Sequence, residues 1–180
     1  VMTSEVVGFL APLRSGVVVD ATFGGGGHSA SLLDAAPGLH ILAVDRDPDA
    51  TARVPVDTRV RVVTANFAHL GELLADPETR RWIDERSDPR HDGRPVGVLF
   101  DLGVSSHQLD TAPRGFSYHR AGPLALRMGL GSGVEPRSAA DIVNRADRAE
   151  LARMGERARA LAVPDAADRI ARLVLEAAGA

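Results

Sequence analysis

Val17-Val18-Val19-Asp20-Ala21-Thr22-Phe23-Gly24-Gly25-Gly26-Gly27-His28-Ser29 is a β-branched apolar run that enters four consecutive glycines and leaves into a helix-forming segment. The segment from Ser29 to Ala36 ends at Pro37-Gly38, a helix stop signal. An apolar run with no polar alternation marks a strand buried on both faces, and such strands belong to parallel sheets covered by helices on either side. Four glycines in regular structure cost roughly 0.5 to 1 kcal/mol each relative to alanine. Close approach of backbone to a ligand at a helix N-terminus, outside the carboxyl end of the first strand, offsets that cost. A merely tight strand-to-helix turn is the plainer alternative.

Working outward, three more runs of the same kind follow: His40 to Asp45, Val60 to Phe67 and Val96 to Leu102. Leu70, Leu73 and Leu74 mark one helical face, with Trp82 and Ile83 on a second helix after Pro77. The alternation of strand and helix predicts an α/β fold, the front half of an open Rossmann-like sheet with about four parallel strands. Arg86 to Pro95 is a polar loop. From Leu109 to Val134 glycine, proline and arginine punctuate the chain, Gly129 to Gly133 is a flexible stretch, and no strand is evident. Ser138 with Asp141, and Asp147 with Glu150, have the spacing of capping boxes that open short helices; Asp165 begins a third, with Ile170, Leu173, Val174 and Ala177 at helical spacing. The expected division is 1–108 as a cofactor-binding core and 109–180 as a loop and helical domain.

Composition narrows the chemistry. All 21 basic residues among the 180 are arginine, so no lysine nucleophile, Schiff base or P-loop lysine is available. There is no cysteine, which removes disulfides, thiolate metal sites and cysteine nucleophiles. No stretch approaches the roughly 18 to 20 apolar residues of a membrane span, and the expected compartment is the cytoplasm. Charge is balanced along the chain: 4 arginines against 7 acids in the first third, then 8 against 9, then 9 against 8. A strong electrostatic footprint for nucleic acid is absent, although a local cluster such as Arg114, Arg120 and Arg127 offers contacts to phosphates. Val1 in place of a methionine, and an end at Gly179-Ala180 within an apolar helix, are compatible with cuts at both termini.

Two carboxylates fall at strand ends. Asp45 stands 18 residues after Gly27, a spacing that places it beside the glycine loop, where it accepts hydrogen bonds from the hydroxyls of an adenosine ribose. That pairing does not separate a dinucleotide from S-adenosylmethionine, and the glycines do not spell G-x-G-x-x-G. Asp47 is expected to cap the turn with Pro48. Asp101 follows the fourth run; if that strand adjoins the first, Asp101 points into the switch-point crevice. Its plainer alternative is a loop cap.

The motifs Ala21 to Ser29, Asp45-Arg46-Asp47-Pro48, Asp101-Leu102-Gly103-Val104-Ser105-Ser106-His107-Gln108-Leu109-Asp110 and Arg114-Gly115-Phe116-Ser117 occur in this order. Together they resemble the bacterial 16S ribosomal RNA cytosine-N4 methyltransferases of the RsmH (MraW) family, over residues 2 to about 145. The resemblance implies a class I methyltransferase sheet with a helical insertion, S-adenosyl-L-methionine as methyl donor, and a cytosine of the small ribosomal subunit as acceptor. It assigns Gly26, Gly27 and His28 to the methionine part of the cofactor and Asp45 to the ribose. Phe67 would lie near the adenine, with Asp101 and Gln108 completing the pocket. His28 as a helix-start residue bonded within its own loop, and Phe67 as a core aromatic, are the plainer readings. For the transfer itself, Asp101 or a nearby carbonyl takes the N4 hydrogen bond, and Ser105 or Ser106 orients the ring.

Three departures accompany the resemblance. Ala125 stands where members usually carry an aspartate, which bears on turnover more than on cofactor binding. The connection from Ala75 to Pro95 is longer and more charged than usual, and the Tyr-Gly-Glu-Glu pattern is degraded at Met154-Gly155-Glu156. Because members continue well beyond this length, the expected sheet has four strands, with the fourth a bare apolar edge beside the site. The alternatives are a truncated paralogue that binds cofactor or RNA without catalysis, and a nicotinamide-type nucleotide binder.

Overall fold

Four parallel strands, β1 (Ser15–Asp20), β2 (Gly38–Asp45), β3 (Val60–Thr64) and β4 (Gly97–Leu99), form one sheet in the order β3-β2-β1-β4. The computed structural model describes residues 2–52, 57–87, 91–126, 137–165 and 169. β1 is interior, pairing with β2 along its whole length and with β4 over Val18 to Asp20. Val17, Val18 and Val19 are fully buried for that reason.

Helices cover both faces. On one, Val18, Ile41 and Ala43 pack against Leu33 of α2 (Gly27–Ala35), Ala36 just after it, and Leu10 of α1 (Thr3–Leu10). On the other, Val17, Val19, Leu42 and Val44 meet Ile83 and Trp82 of α5 (Pro77–Asp84) and Leu70, Leu73 and Leu74 of α4 (Leu70–Ala75). Full burial of an aliphatic side chain of this size contributes roughly 1.5 to 3 kcal/mol, so this two-sided core fixes the sheet. Between β2 and β3 lies α3 (Pro48–Thr51), and after β4 comes α6 (Ser106–Asp110). The architecture is the Rossmann-like α/β fold expected of the sequence.

All four strands are shorter at their carboxyl ends than the apolar runs, or equal at most. β4 is cut most, to three residues from an expected seven. Among the described residues no strand pairs with its far side, and the Asp101 amide is drawn off to the Thr22 hydroxyl at 2.6 Å. Among the described residues the edge is bare as expected: Val98 is 45% exposed, and Phe100 and Leu102 just beyond the strand are 48% and 71% exposed. α1 has no sequence signal; its N-cap, Met2, makes no side-chain bond.

The chain divides into two compact units, Val1–Ser138 and Ala139–Ala180. The second contains α7 (Ala139–Arg145) and α8 (Arg148–Leu161); the Asp147 side chain accepts from the Glu150 amide at 2.7 Å, as its spacing suggests. α8 spans 14 residues rather than being short. The expected flexible stretch Gly129 to Gly133 and nearly all of the helix expected after Asp165 lie outside the described residues. No helix among the described residues is long and apolar enough to cross a membrane.

Candidate functional site

The carboxyl ends of three adjacent strands, β2, β1 and β4, deliver three acids to one sheet edge: Asp45, Asp20 and Asp101. Asp20 is only 2% exposed. It accepts from the Ser29 hydroxyl at 2.7 Å and from the Thr22 amide at 3.3 Å, tying the strand end to the first turn of α2. Burial pushes its carboxyl above the ordinary value; the Ser29 and Thr22 bonds and the nearby His28 pull the other way, and the Asp45 charge adds to the rise.

The glycine loop closes over this anchor. Gly26 has φ +72°, and a Cβ there would stand 2.5 Å from Cζ of the buried Phe23, so both backbone and packing require glycine. Gly25 and Gly27 are different: a Cβ on either meets no atom within 4 Å. The loop thus presents bare backbone to open space directly before the nine-residue α2, whose N-terminal N–H groups and dipole favour an anion.

Asp45 sits beside that loop as its spacing predicts. Its Oδ2 accepts from the Gly24 amide at 2.7 Å and its Oδ1 from the Asp47 amide at 2.9 Å. A carboxylate has about four lone-pair sites, so two backbone bonds orient it and leave capacity for two hydroxyls. Asp47 caps α3 by accepting from the Asp49 amide at 3.1 Å.

On the other flank, the Asp101 carboxylate is 3.7 Å from His28 Nδ1 and is half exposed. Ser105 and Gln108 form a reciprocal capping box on α6: the Gln108 amide donates to Ser105 Oγ at 3.3 Å, and Gln108 Oε1 accepts from the Ser105 amide at 3.0 Å. Ser105, not Asp101, is therefore the helix cap, and Ser106 is the exposed first residue of α6. The cap lies against the glycine loop, since a Cβ on Gly24 would be 3.7 Å from Ser105 Cβ. Phe67 is 41% exposed rather than a core aromatic, and it meets Phe100 edge to face with ring centroids 5.7 Å apart.

The structure thus brings Gly26, Gly27, His28, Asp45, Asp101 and Ser105 to one edge, with Gln108 behind Ser105. The sequence reading gave no role to Asp20, Thr22 or Phe100. The signal for Asp20 was a carboxylate directly after three valines at a buried strand end. One expectation is corrected: Arg114 is not offered to phosphates. It is 2% exposed and holds both oxygens of the equally buried Asp47, at 2.8 and 2.9 Å, and also the Asp49 carboxylate. Burial works against its charge, and the bonds to Asp47 and Asp49 outweigh it, so its pKa is raised. Arg120 is bonded to the Asp110 carbonyl at 2.8 Å, and Arg127 lies outside the described residues.

Three features of this edge suit an adenosyl amino acid: open space over Gly25 and Gly27, the oriented Asp45 carboxylate, and the half-exposed rings of Phe67 and Phe100. Among the described residues no three His, Asp or Glu side chains stand close enough together to hold a metal ion.

The chain is 44% identical over 160 residues to the ribosomal RNA small subunit methyltransferase H of Geotalea uraniireducens (strain Rf4), covering 86% of this chain and 46% of that protein. It is 43% identical over 163 residues to the protein of the same name from Frankia alni, covering 86% and 45%. For Methylobacterium sp. (strain 4-46) the identity is 43% over 187 residues, covering 98% and 48%. The chain spans about half the length of these relatives. The profile of the MraW methylase family matches residues 1–177, and the chain belongs to that family.

Proposed function

We propose that this chain carries the cofactor-binding half of an S-adenosyl-L-methionine-dependent methyltransferase that modifies the N4 amino group of a cytosine in 16S ribosomal RNA. The observation that carries the reading is the Asp45 carboxylate, held by the Gly24 amide at 2.7 Å beside glycines with open space above them. Family membership and the relatives' name, ribosomal RNA small subunit methyltransferase H, support the rRNA acceptor. The proposed setting is cytoplasmic, with the small ribosomal subunit as partner and 1–108 as the cofactor core.

Each residue has a task. Gly26, Gly27 and His28 bring the start of α2 to the methionine carboxylate, Asp45 accepts from the ribose hydroxyls, and Phe67 lies along the adenine. Gln108 backs the pocket by holding the Ser105 amide. The bound sulfonium supplies an already activated methyl group. The protein therefore needs to align the acceptor nitrogen and take its hydrogen bond. With that group bound, the transfer would leave a thioether behind, and the surplus proton of the methylated amino group would pass to the Asp101 carboxylate or to water. Asp101, half exposed and within 3.7 Å of His28, accepts the hydrogen bond from that amino group, while Ser105 or Ser106 orients the ring.

Ala125, standing where family members usually carry an aspartate, favours a second reading, binding of cofactor or RNA without transfer. Calorimetry with S-adenosylmethionine against NAD tests the cofactor: binding of NAD alone sinks both readings. Methyl transfer to small ribosomal subunits lacking the modification decides between them, since bound cofactor with no transfer leaves only the second.

A further inference from the structure

Two of the sequence motifs far apart in the chain are joined by one buried contact. Arg114 forks onto both oxygens of Asp47 at 2.8 and 2.9 Å, across 67 residues, and both side chains are almost wholly buried. Paired, bidentate guanidinium–carboxylate geometry is directional as well as strong. The Asp47 amide in turn donates to Asp45 Oδ1 at 2.9 Å, and Asp45 Oδ2 accepts from the Gly24 amide at 2.7 Å. The result is a continuous line from Arg114 through Asp47 and Asp45 to the glycine loop.

Arg114 is itself held by a tight loop. It ends a 3₁₀ turn (Ala112–Arg114) stopped by Gly115 at φ +78°, where a Cβ would stand 2.1 Å from the Pro123 carbonyl oxygen. The Arg120 guanidinium closes the same loop on the Asp110 carbonyl at 2.8 Å. This loop follows α6, whose N-terminal cap rests against Gly24. The connection after β4 is thereby fastened to the glycine loop at one end and to the turn after β2 at the other.

We propose that Arg114 is a positioning residue for cofactor recognition, clamping the Asp47 turn so that the Asp45 carboxylate keeps its ribose-accepting orientation. The proposal rests on the assignment of Asp45 to the ribose. It is distinct from a general stabilising role because its effect is confined to ligands that carry the ribose hydroxyls.

The test is calorimetric titration of the full chain with S-adenosylhomocysteine and with its 2′,3′-dideoxy analogue. Wild-type protein is expected to prefer the hydroxylated ligand at least tenfold. Arg114→Lys keeps the charge and loses the fork, and is expected to weaken the hydroxylated ligand about tenfold while changing the dideoxy analogue less than twofold. Equal weakening of both ligands, or of neither, overturns the positioning role while leaving Asp45 its assignment. Absence of any wild-type preference overturns that assignment, and this proposal with it. Arg114→Met strands a buried carboxylate, so the charge-neutral pair Arg114→Met with Asp47→Asn serves as the second variant. It is expected to show the same ribose-selective loss, and wild-type affinity for both ligands in that variant overturns the proposal.

Discussion

The Ser29 hydroxyl donates to Asp20 Oδ2 at 2.7 Å, in a site where Ser29 and Asp20 are each 2% exposed. Strand end and helix start are joined there, beneath the six residues, Ala21 to Gly26, that bend between them. Because burial raises the Asp20 pKa from an ordinary value of 3.8, the folded state holds its proton more tightly than the unfolded chain. The stabilising effect of that proton is complete below about the unfolded value and is lost as pH rises through the folded one. Asp20→Asn removes this dependence. Urea midpoints measured from pH 4 to pH 8 should show the variant gaining on wild type as pH rises; a constant difference between the two proteins is the contrary result.

The glycines separate packing from ligand space. Gly26→Ala forces a left-handed alanine against Phe23 and is expected to cost about 1 to 3 kcal/mol. Gly27→Ala lies at the first residue of α2 with open space around it, so the helix gains up to about 1 kcal/mol. The same methyl occupies the proposed cofactor cradle, and affinity for S-adenosylmethionine should fall about tenfold, or ~1.4 kcal/mol. Thermal melts paired with calorimetry check both; a Gly27→Ala protein that binds as well as wild type removes the cradle from this loop.

Asp101→Asn preserves size and hydrogen-bonding reach but replaces the acceptor carboxylate with an amide. Methyl transfer is expected to slow about 10²-fold, with a smaller change in cofactor affinity. Single-turnover transfer to unmodified small subunits gives the rate. Undiminished transfer would take the amino hydrogen bond away from Asp101 and give it to a backbone carbonyl of the same loop.

The edge of β4 carries a liability. Val98 in the strand, and Phe100 and Leu102 just after it, are all at least 45% exposed, and the strand has an unpaired side among the described residues. Apolar edges of this kind pair with other chains. Light scattering of the 180-residue chain should show concentration-dependent association, suppressed by Val98→Arg at little cost to the melting temperature. A wild-type chain that stays monomeric at all concentrations is the opposing outcome.

Legibility in the sequence followed the range of the interactions. Val17 to Val19 declared a doubly covered strand because their burial depends on their own composition, and Asp45 could be placed because a βα unit has a nearly fixed length. The extent of β4 was not legible, since pairing beyond Leu99 depends on what stands on its far side and on the Thr22 hydroxyl 79 residues away. Arg114 looked like a free cation because its two partners lie 67 and 65 residues earlier. Ser105 and Gln108 were visible as neighbours in a site, but their spacing is also that of a capping box, and the structure pairs Ser105 Oγ with the Gln108 amide and Gln108 Oε1 with the Ser105 amide. α1 lacks a side-chain cap, so nothing local announced it.

The placement of β1 between its neighbours has a kinetic consequence. The contact on the proposed ribose side, Gly24 with Asp45, closes a loop of 21 residues, whereas the contact on the proposed acceptor side, Thr22 with Asp101, spans 79. Loop-closure entropy separates the two by about 1 kcal/mol, in favour of the shorter. During refolding the glycine-loop amide of Gly24 should gain protection from hydrogen exchange before that of Asp101, as pulse labelling would record. The half assigned to the donor is then assembled first, and the face assigned to the acceptor is added to it.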